Sequence, residues 1–71
     1  MNKSAADLCM IARAGGSLRF DAGTKSTADL CMIARAMADT GGTLALFNAG
    51  NKSTADLCMI ARANPGKVQF E

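Results

Sequence analysis

The stretch KSTADLCMIARA occupies residues 25–36 and returns letter for letter at residues 52–63, while KSAADLCMIARA at residues 3–14 differs from both at one position. This repetition decides the fold, because each copy predicts the same structural unit and stacked units bury a continuous core. Successive copies start 22 and 27 residues apart. We therefore expect one repeat domain over residues 1–71, with repeat units at about 3–24, 25–51 and 52–71.

The verbatim identity of the copies bears on the origin of the chain. Natural repeats drift apart after duplication, whereas here even exchangeable positions are identical over twelve residues. This indicates either a very recent duplication or deliberate construction. By analogy with consensus repeat proteins we favour construction, that is, an artificial α/β repeat protein.

Each copy is predicted to form a short helix. A serine stands at the N-cap with an aspartate three residues later, which is capping-box spacing and also suits the positive helix N-terminus. Helix-favouring Leu, Met, Ala and Arg follow, and Gly or Asn-Pro-Gly ends each helix. Residues 37–40 are expected to lengthen the second helix by about one turn. The N-caps are Ser4, Ser26 and Ser53, the aspartates are Asp7, Asp29 and Asp56, and the expected core anchors are Leu8, Leu30 and Leu57.

The segments between the helices are predicted to be strands. Residues 17–21, 43–47 and 67–71 follow Gly-rich or Pro-Gly turns, and the first and third alternate apolar with polar residues. Strands that alternate with helices at short spacing pair in parallel, in the order one, two, three. The fold class is therefore α/β, a parallel three-stranded sheet with helices on one face.

The sequence leaves two registers open for the second strand. Counting from the preceding Gly-Gly places Leu44 and Leu46 on the face of Phe20. Aligning Phe-Asn-Ala-Gly with Phe-Asp-Ala-Gly instead places Phe47 beside Phe20 and moves both leucines to the opposite face. In either register the strand is apolar on both faces, which is expected of a strand covered on both sides.

The period and the strand-helix alternation resemble those of leucine-rich-repeat solenoids, and this resemblance covers all three units. Leu44 and Leu46 are similar to the Leu-x-Leu strand of that family, while Ala49 stands where its ladder Asn is expected. The resemblance implies a horseshoe with a concave binding face. One alternative function is therefore a peptide-binding solenoid fragment that uses the sheet face opposite the helices, around Arg19, Ala45 and Gln69.

A second alternative is an anion- or nucleotide-binding module. Residues 23–27 and 50–54 place Gly, Lys, Ser and Thr between a strand and a helix, as a phosphate-binding loop does. The first Gly of that motif is missing, and a strand-to-helix turn with an N-cap serine explains the same residues. The candidate anion-binding residues are Lys25, Ser26, Thr27, Lys52, Ser53 and Thr54.

The three cysteines do not indicate a metal site. Cys9, Cys31 and Cys58 occupy equivalent positions on three helices whose axes would lie about 8–10 Å apart, too far for a disulfide or a tetrahedral site. The chain has no His to complete a ligand set. We expect buried, reduced thiols and a reducing, cytoplasm-like environment.

Composition and charge exclude several partners. A net charge of +2 without a basic cluster indicates no nucleic-acid partner, and no stretch approaches the roughly 20 apolar residues of a membrane span. Without a paired acid and base we expect neither catalysis nor a cofactor. Met10, Met32 and Met59 form a stripe that we expect to fill the gaps between helices.

These patterns lead to one principal functional hypothesis, a soluble protein whose activity is to fold and to self-associate. Three parallel strands leave two exposed sheet edges, and solenoid ends need polar caps that this chain lacks. A second molecule would also cover the apolar second strand. We expect a homo-oligomer, with a two-fold dimer as the preferred form and exchange of a helix-strand unit as a further route.

Overall fold

The computed structural model describes residues 3–71 and has the predicted α/β fold. Each unit contributes one helix followed by one strand, and the first two strands each continue into a single 3₁₀ turn. The elements are α1 (Ala5–Arg13), β1 (Leu18–Asp21), a turn at Ala22–Thr24, α2 (Thr27–Ala38), β2 (Leu44–Phe47), a turn at Ala49–Asn51, α3 (Thr54–Ala63) and β3 (Val68–Phe70).

The helices begin where the sequence predicts. In each unit the N-cap serine Oγ accepts a hydrogen bond from the backbone N–H of the aspartate three residues later, at 3.2, 3.2 and 3.1 Å. This bond satisfies one of the free N–H groups at the start of the helix. After α1 and α2 the chain turns through Gly15 and Gly41, whose φ angles of 100° and 78° belong to the left-handed region that favours glycine.

The sheet is parallel in the order β1-β2-β3, and its register decides between the two alignments of the second strand. Leu44 pairs with Leu18 and Leu46 with Phe20, so counting from Gly-Gly is confirmed and the other alignment is wrong. From the strand to the next helix the second unit has one residue more than the first, and this residue is Asn48, which takes a left-handed conformation (φ 59°) directly after β2. Asparagine tolerates this conformation, so the chain absorbs the extra residue without shifting the strand.

The core lies between the sheet and the helices. Leu8 and Leu30 are fully buried, as predicted, but Leu57 is only half-buried. The expected extension of α2 is shorter than one turn, because the helix ends at Ala38 and the next three residues form a turn. Met37 is nevertheless fully buried. The other large side chains of the core are Phe20, Ile33, Leu44, Leu46 and Ile60.

Candidate functional site

The three repeats allow the solvent exposure of equivalent residues to be compared. Residues at equivalent positions have nearly identical sequence neighbours, and α2 lies between α1 and α3. A side chain that is buried in two units and exposed in the third therefore marks a surface that an adjacent unit normally covers. Two such surfaces exist, one at each end of the stack.

The C-terminal end face is identified by its cysteine. Cys9 and Cys31 are 3% and 5% exposed, whereas Cys58 is exposed. The leucine before each cysteine follows the same trend, since it is fully buried in the first two units and half-buried at Leu57. The side chains on this side of a helix are thus covered by the unit that follows. We call Leu57, Cys58 and the outer edge of β3 the C-terminal end face.

The N-terminal end face shows the opposite gradient. Ile33 and Ile60 are fully buried, but Ile11 is 36% exposed. The residue that ends the repeat, Ala14, is exposed, whereas its counterpart in the second unit is buried. These side chains are covered by the unit that precedes. We call Met10, Ile11, Ala14 and the outer edge of β1 the N-terminal end face.

Two sequence predictions are corrected by these exposures. Burial of the cysteines is right for Cys9 and Cys31 and wrong for Cys58, because α3 has a neighbouring helix on only one side within residues 3–71. The expectation that the methionines fill gaps is also wrong. Met10, Met32 and Met59 remain 65%, 44% and 51% exposed, so their side chains lie largely outside the packed core.

The contact between α2 and α3 shows what a complete junction looks like. Its outer part is a shallow groove of about 250 Å³ lined by Cys31 and Arg35 of α2 and by Met59, Arg62 and Ala63 of α3. The cysteine side of one helix therefore faces the methionine side of the next. Each helix therefore carries both halves of the junction, about 100° apart around its axis.

Hydrogen bonds between loops and backbone complete the internal junctions. Thr40 Oγ1 donates to the carbonyl of Ala12 at 3.0 Å, joining the second unit to the first. The buried Asn64 side chain donates through Nδ2 to the carbonyl of Gly42 at 3.2 Å, joining the third unit to the second. In the sheet, the N–H of Leu44 donates to the carbonyl of Lys67 at 2.8 Å. Among residues 3–71, β1 and β3 each pair along one edge only.

The predicted anion-binding residues lie close together, but several of their polar groups already have partners. Lys52 Nζ donates to the backbone carbonyl of Lys25 at 3.2 Å, which connects the two turns. The hydroxyls of Ser26 and Ser53 are the N-caps described above. Thr27 is half-buried and Thr54 is exposed, each as the first residue of its helix.

The first of these turns also carries a carboxylate where an anion would bind. Asp21 Oδ1 accepts the N–H of Gly23 at 2.7 Å and the Nδ2 of Asn48 at 3.2 Å. A negative side chain that already occupies this amide repels a second anion. The Asp21 and Asn48 pair instead links the ends of β1 and β2.

The sheet face opposite the helices carries the residues of the predicted peptide surface. Arg19, Ala45 and Gln69 lie in one row across the three strands, as the register requires. The Arg19 guanidinium donates to Glu71 Oε1 through Nε at 3.1 Å and Nη2 at 2.9 Å, and its Cζ lies 4.7 Å from the Phe47 ring centroid. The arginine therefore has partners within the chain and lies over the ring of Phe47. We call Arg19, Asp21, Ala45, Phe47, Gln69 and Glu71 the open face.

Sequence reasoning identified the exposed sheet edges and the missing caps but not the side chains of the end faces. The sequence predicts that Ile11 faces inward as its two counterparts do, and this prediction is wrong, since Ile11 is 36% exposed. The only signal for this exposure is the position of Ile11 in the first copy of the repeat.

Comparison with known proteins adds no relative: no family model, curated protein or solved structure matches the chain. In the part of the chain that the structure describes, no group of three or more His, Cys, Asp or Glu side chains is placed to bind a metal ion. Within residues 3–71, no helix combines the length and the hydropathy of a membrane crossing.

Proposed function

We propose that this chain is a self-associating α/β repeat module, whose activity is to bind further copies of itself through its two end faces. The observation that carries the proposal is the exposure of Cys58 and Ile11, whose counterparts in the other units are at most 5% exposed. Apolar side chains that pack well inside the stack are thus left in solvent at its ends. Association between copies removes that surface from water, which is favourable.

The unpaired sheet edges support the same proposal. An edge strand presents a row of free N–H and C=O groups that another strand can pair with. β1 and β3 each offer one such edge within the described residues, next to the exposed side chains of the same end. Backbone pairing and side-chain burial would therefore take place at the same surface.

The open face is a weaker candidate for the contact. The sequence predicted that a second molecule covers the apolar second strand, but Phe47 is already half-buried beneath the guanidinium of Arg19. Phe47 is therefore less exposed to solvent than Ile11 and Cys58 of the end faces. We therefore assign the contact between copies to the ends of the stack.

Light scattering across a dilution series tests the proposal. We expect a mass well above the 7.3 kDa of one chain at high concentration, falling to that value on dilution. Phe47→Lys is the matched control for the open face, and its mass profile should follow that of the wild type. A monomer mass at every concentration would refute self-association, and a monomeric but folded Phe47→Lys would move the contact to the open face.

A further inference from the structure

The two end faces are the two halves of a junction that the chain already makes internally. We infer that copies associate head to tail, with the C-terminal end face of one copy docking on the N-terminal end face of the next. This inference rests on the proposed self-association and specifies its geometry. The partner is a second copy of this chain, bound as a fourth repeat unit would be.

The exposed side of α3 repeats the surface of α2 on which α3 packs. At the internal junction, α2 presents Cys31 and Arg35 to α3. The exposed side of α3 carries Cys58, which is the counterpart of Cys31 in the same twelve-residue sequence. The C-terminal end face is therefore a copy of the surface on which α3 itself packs.

The N-terminal end face is the matching half. The groove between α2 and α3 is lined on the α3 side by Met59, Arg62 and Ala63, and these correspond to Met10, Arg13 and Ala14 of α1. Ile60 is fully buried in the internal arrangement, and its counterpart Ile11 is 36% exposed. The first helix thus retains the surface with which the third helix docks, but this surface is partly in solvent.

The sheet can continue across the same junction. Leu18 pairs with Leu44, and Leu44 pairs with Val68, so each strand keeps one register with the next. Continuing this register places Val68 of one copy beside Leu18 of the following copy. Phe70, which is 38% exposed, would then be covered as the equivalent Phe20 and Leu46 are, at 2% and 0%.

The chemistry of the two faces favours this polarity over two-fold symmetry. A two-fold contact places each face against itself, so that Cys58 would meet Cys58. Inside the chain, the cysteine side of one helix instead faces the methionine side of the next, since Cys31 and Met59 line the same groove. The junction inside the chain therefore joins two different helix surfaces, and a contact between copies that repeats it is heterologous. Such a contact produces a ring if the rotation closes and an open filament if it does not.

One part of the internal junction is missing between copies, and it limits the affinity. Asn64 joins the third unit to the second by its buried hydrogen bond to the carbonyl of Gly42. The position of Asn64 in the first unit is held by Gly15, which has no side chain to donate. A contact between copies would lack this bond. We therefore expect an association that depends on concentration and reverses on dilution.

The experiment blocks the two faces separately. Ile11→Lys places a charge where the junction requires full burial, and Cys58→Lys does the same on the opposite face. Both positions are open to solvent in a single copy, so each variant should fold, as circular dichroism will show. Ala14→Lys, at an exposed position whose counterpart Ala36 is 5% exposed, replaces Ile11→Lys if that variant is unfolded. The matched controls are Ala6→Lys and Ala55→Lys, which add the same charge at a position that remains exposed in the central unit, at Ala28.

Head-to-tail association predicts complementation. Each blocked variant alone should have the mass of one chain, and an equimolar mixture should form a heterodimer of twice the 7.3 kDa mass, because each variant keeps the face that the other lacks. Both alanine-to-lysine controls should associate as the wild type does. The inference is overturned if Ile11→Lys still dimerises while Cys58→Lys does not, or the reverse, because either result indicates a two-fold contact. Blocked variants that associate normally would also overturn it, and a wild type that stays monomeric refutes self-association itself.

Discussion

Replacing the same leucine in different units should have very different effects on stability. Leu30 and Leu57 occupy identical twelve-residue sequences, yet Leu30 is fully buried and Leu57 is half-buried. Truncation of a fully buried leucine leaves a cavity and typically costs ~2–5 kcal/mol. A partly exposed leucine loses only part of a burial energy of ~1.5–3 kcal/mol, and solvent fills the space that it leaves. We therefore expect about 3 kcal/mol for Leu30→Ala and about 1–2 kcal/mol for Leu57→Ala.

The difference is large on the scale of this domain. A core of this size supplies a net stability of ~3–5 kcal/mol, so Leu30→Ala should be largely unfolded in water while Leu57→Ala stays folded. Urea denaturation followed by far-ultraviolet circular dichroism measures both at low protein concentration, since the chain has no Trp or Tyr for fluorescence. Met32→Ala, at a position 44% exposed, is the control for a small loss.

Two results would refute this reasoning. Equal losses for Leu30→Ala and Leu57→Ala would mean that α3 is covered as completely as α2 in the single chain. A harmless Leu30→Ala together with a damaging Met32→Ala would mean that the helix is rotated relative to the core described here.

Three further predictions concern the caps, the open face and the turns. Ser26→Ala should lower the free energy of unfolding by about 1 kcal/mol, because it removes the Oγ acceptor at the N-terminus of α2, and Ser26→Thr should retain most of it in the same urea titration. In a double-mutant cycle of Arg19→Ala with Glu71→Gln, the coupling should stay below about 1 kcal/mol, because the two side chains are 61% and 40% exposed. Calorimetric titration with ATP and with phosphate should show no saturation, whereas saturable binding lost in Lys25→Ala and Lys52→Ala would identify a nucleotide site.

The features that the sequence predicted well depend on local signals. The helix starts follow from the serine N-caps, and the helix ends follow from glycines such as Gly15. Parallel pairing follows from the alternation of strands and helices at short spacing. The fold class and the strand order could therefore be predicted before the structure was known.

The features that could not be predicted depend on residues far apart in the chain or on backbone conformation. The register of β2 was ambiguous until Asn48 was seen to absorb one residue in a left-handed turn. Arg19 pairs with Glu71, which is 52 residues away. No local sequence pattern therefore predicts that the Arg19 side chain lies over Phe47 on the open face. Cys58 is exposed because α3 has a neighbouring helix on only one side within residues 3–71. The sequence around Cys58 is identical to that around the buried Cys31, so it does not predict this difference.

Other expectations stay predictions. Deliberate construction of the repeats and the resemblance to leucine-rich-repeat solenoids are predictions from the sequence alone. The reduced state of the thiols is likewise a prediction about the environment of the chain.

The most direct measurement of the central claim, that a second copy covers the C-terminal end face, is the alkylation rate of Cys58 as a function of protein concentration. Cys58 is the exposed thiol, and Cys9 and Cys31 are buried, so a dilute sample should show one fast-reacting thiol that Cys58→Ala abolishes. The account predicts that this fast reaction slows as concentration rises, in step with the increase in mass. A fast reaction at the same rate constant from the most dilute to the most concentrated sample would contradict it.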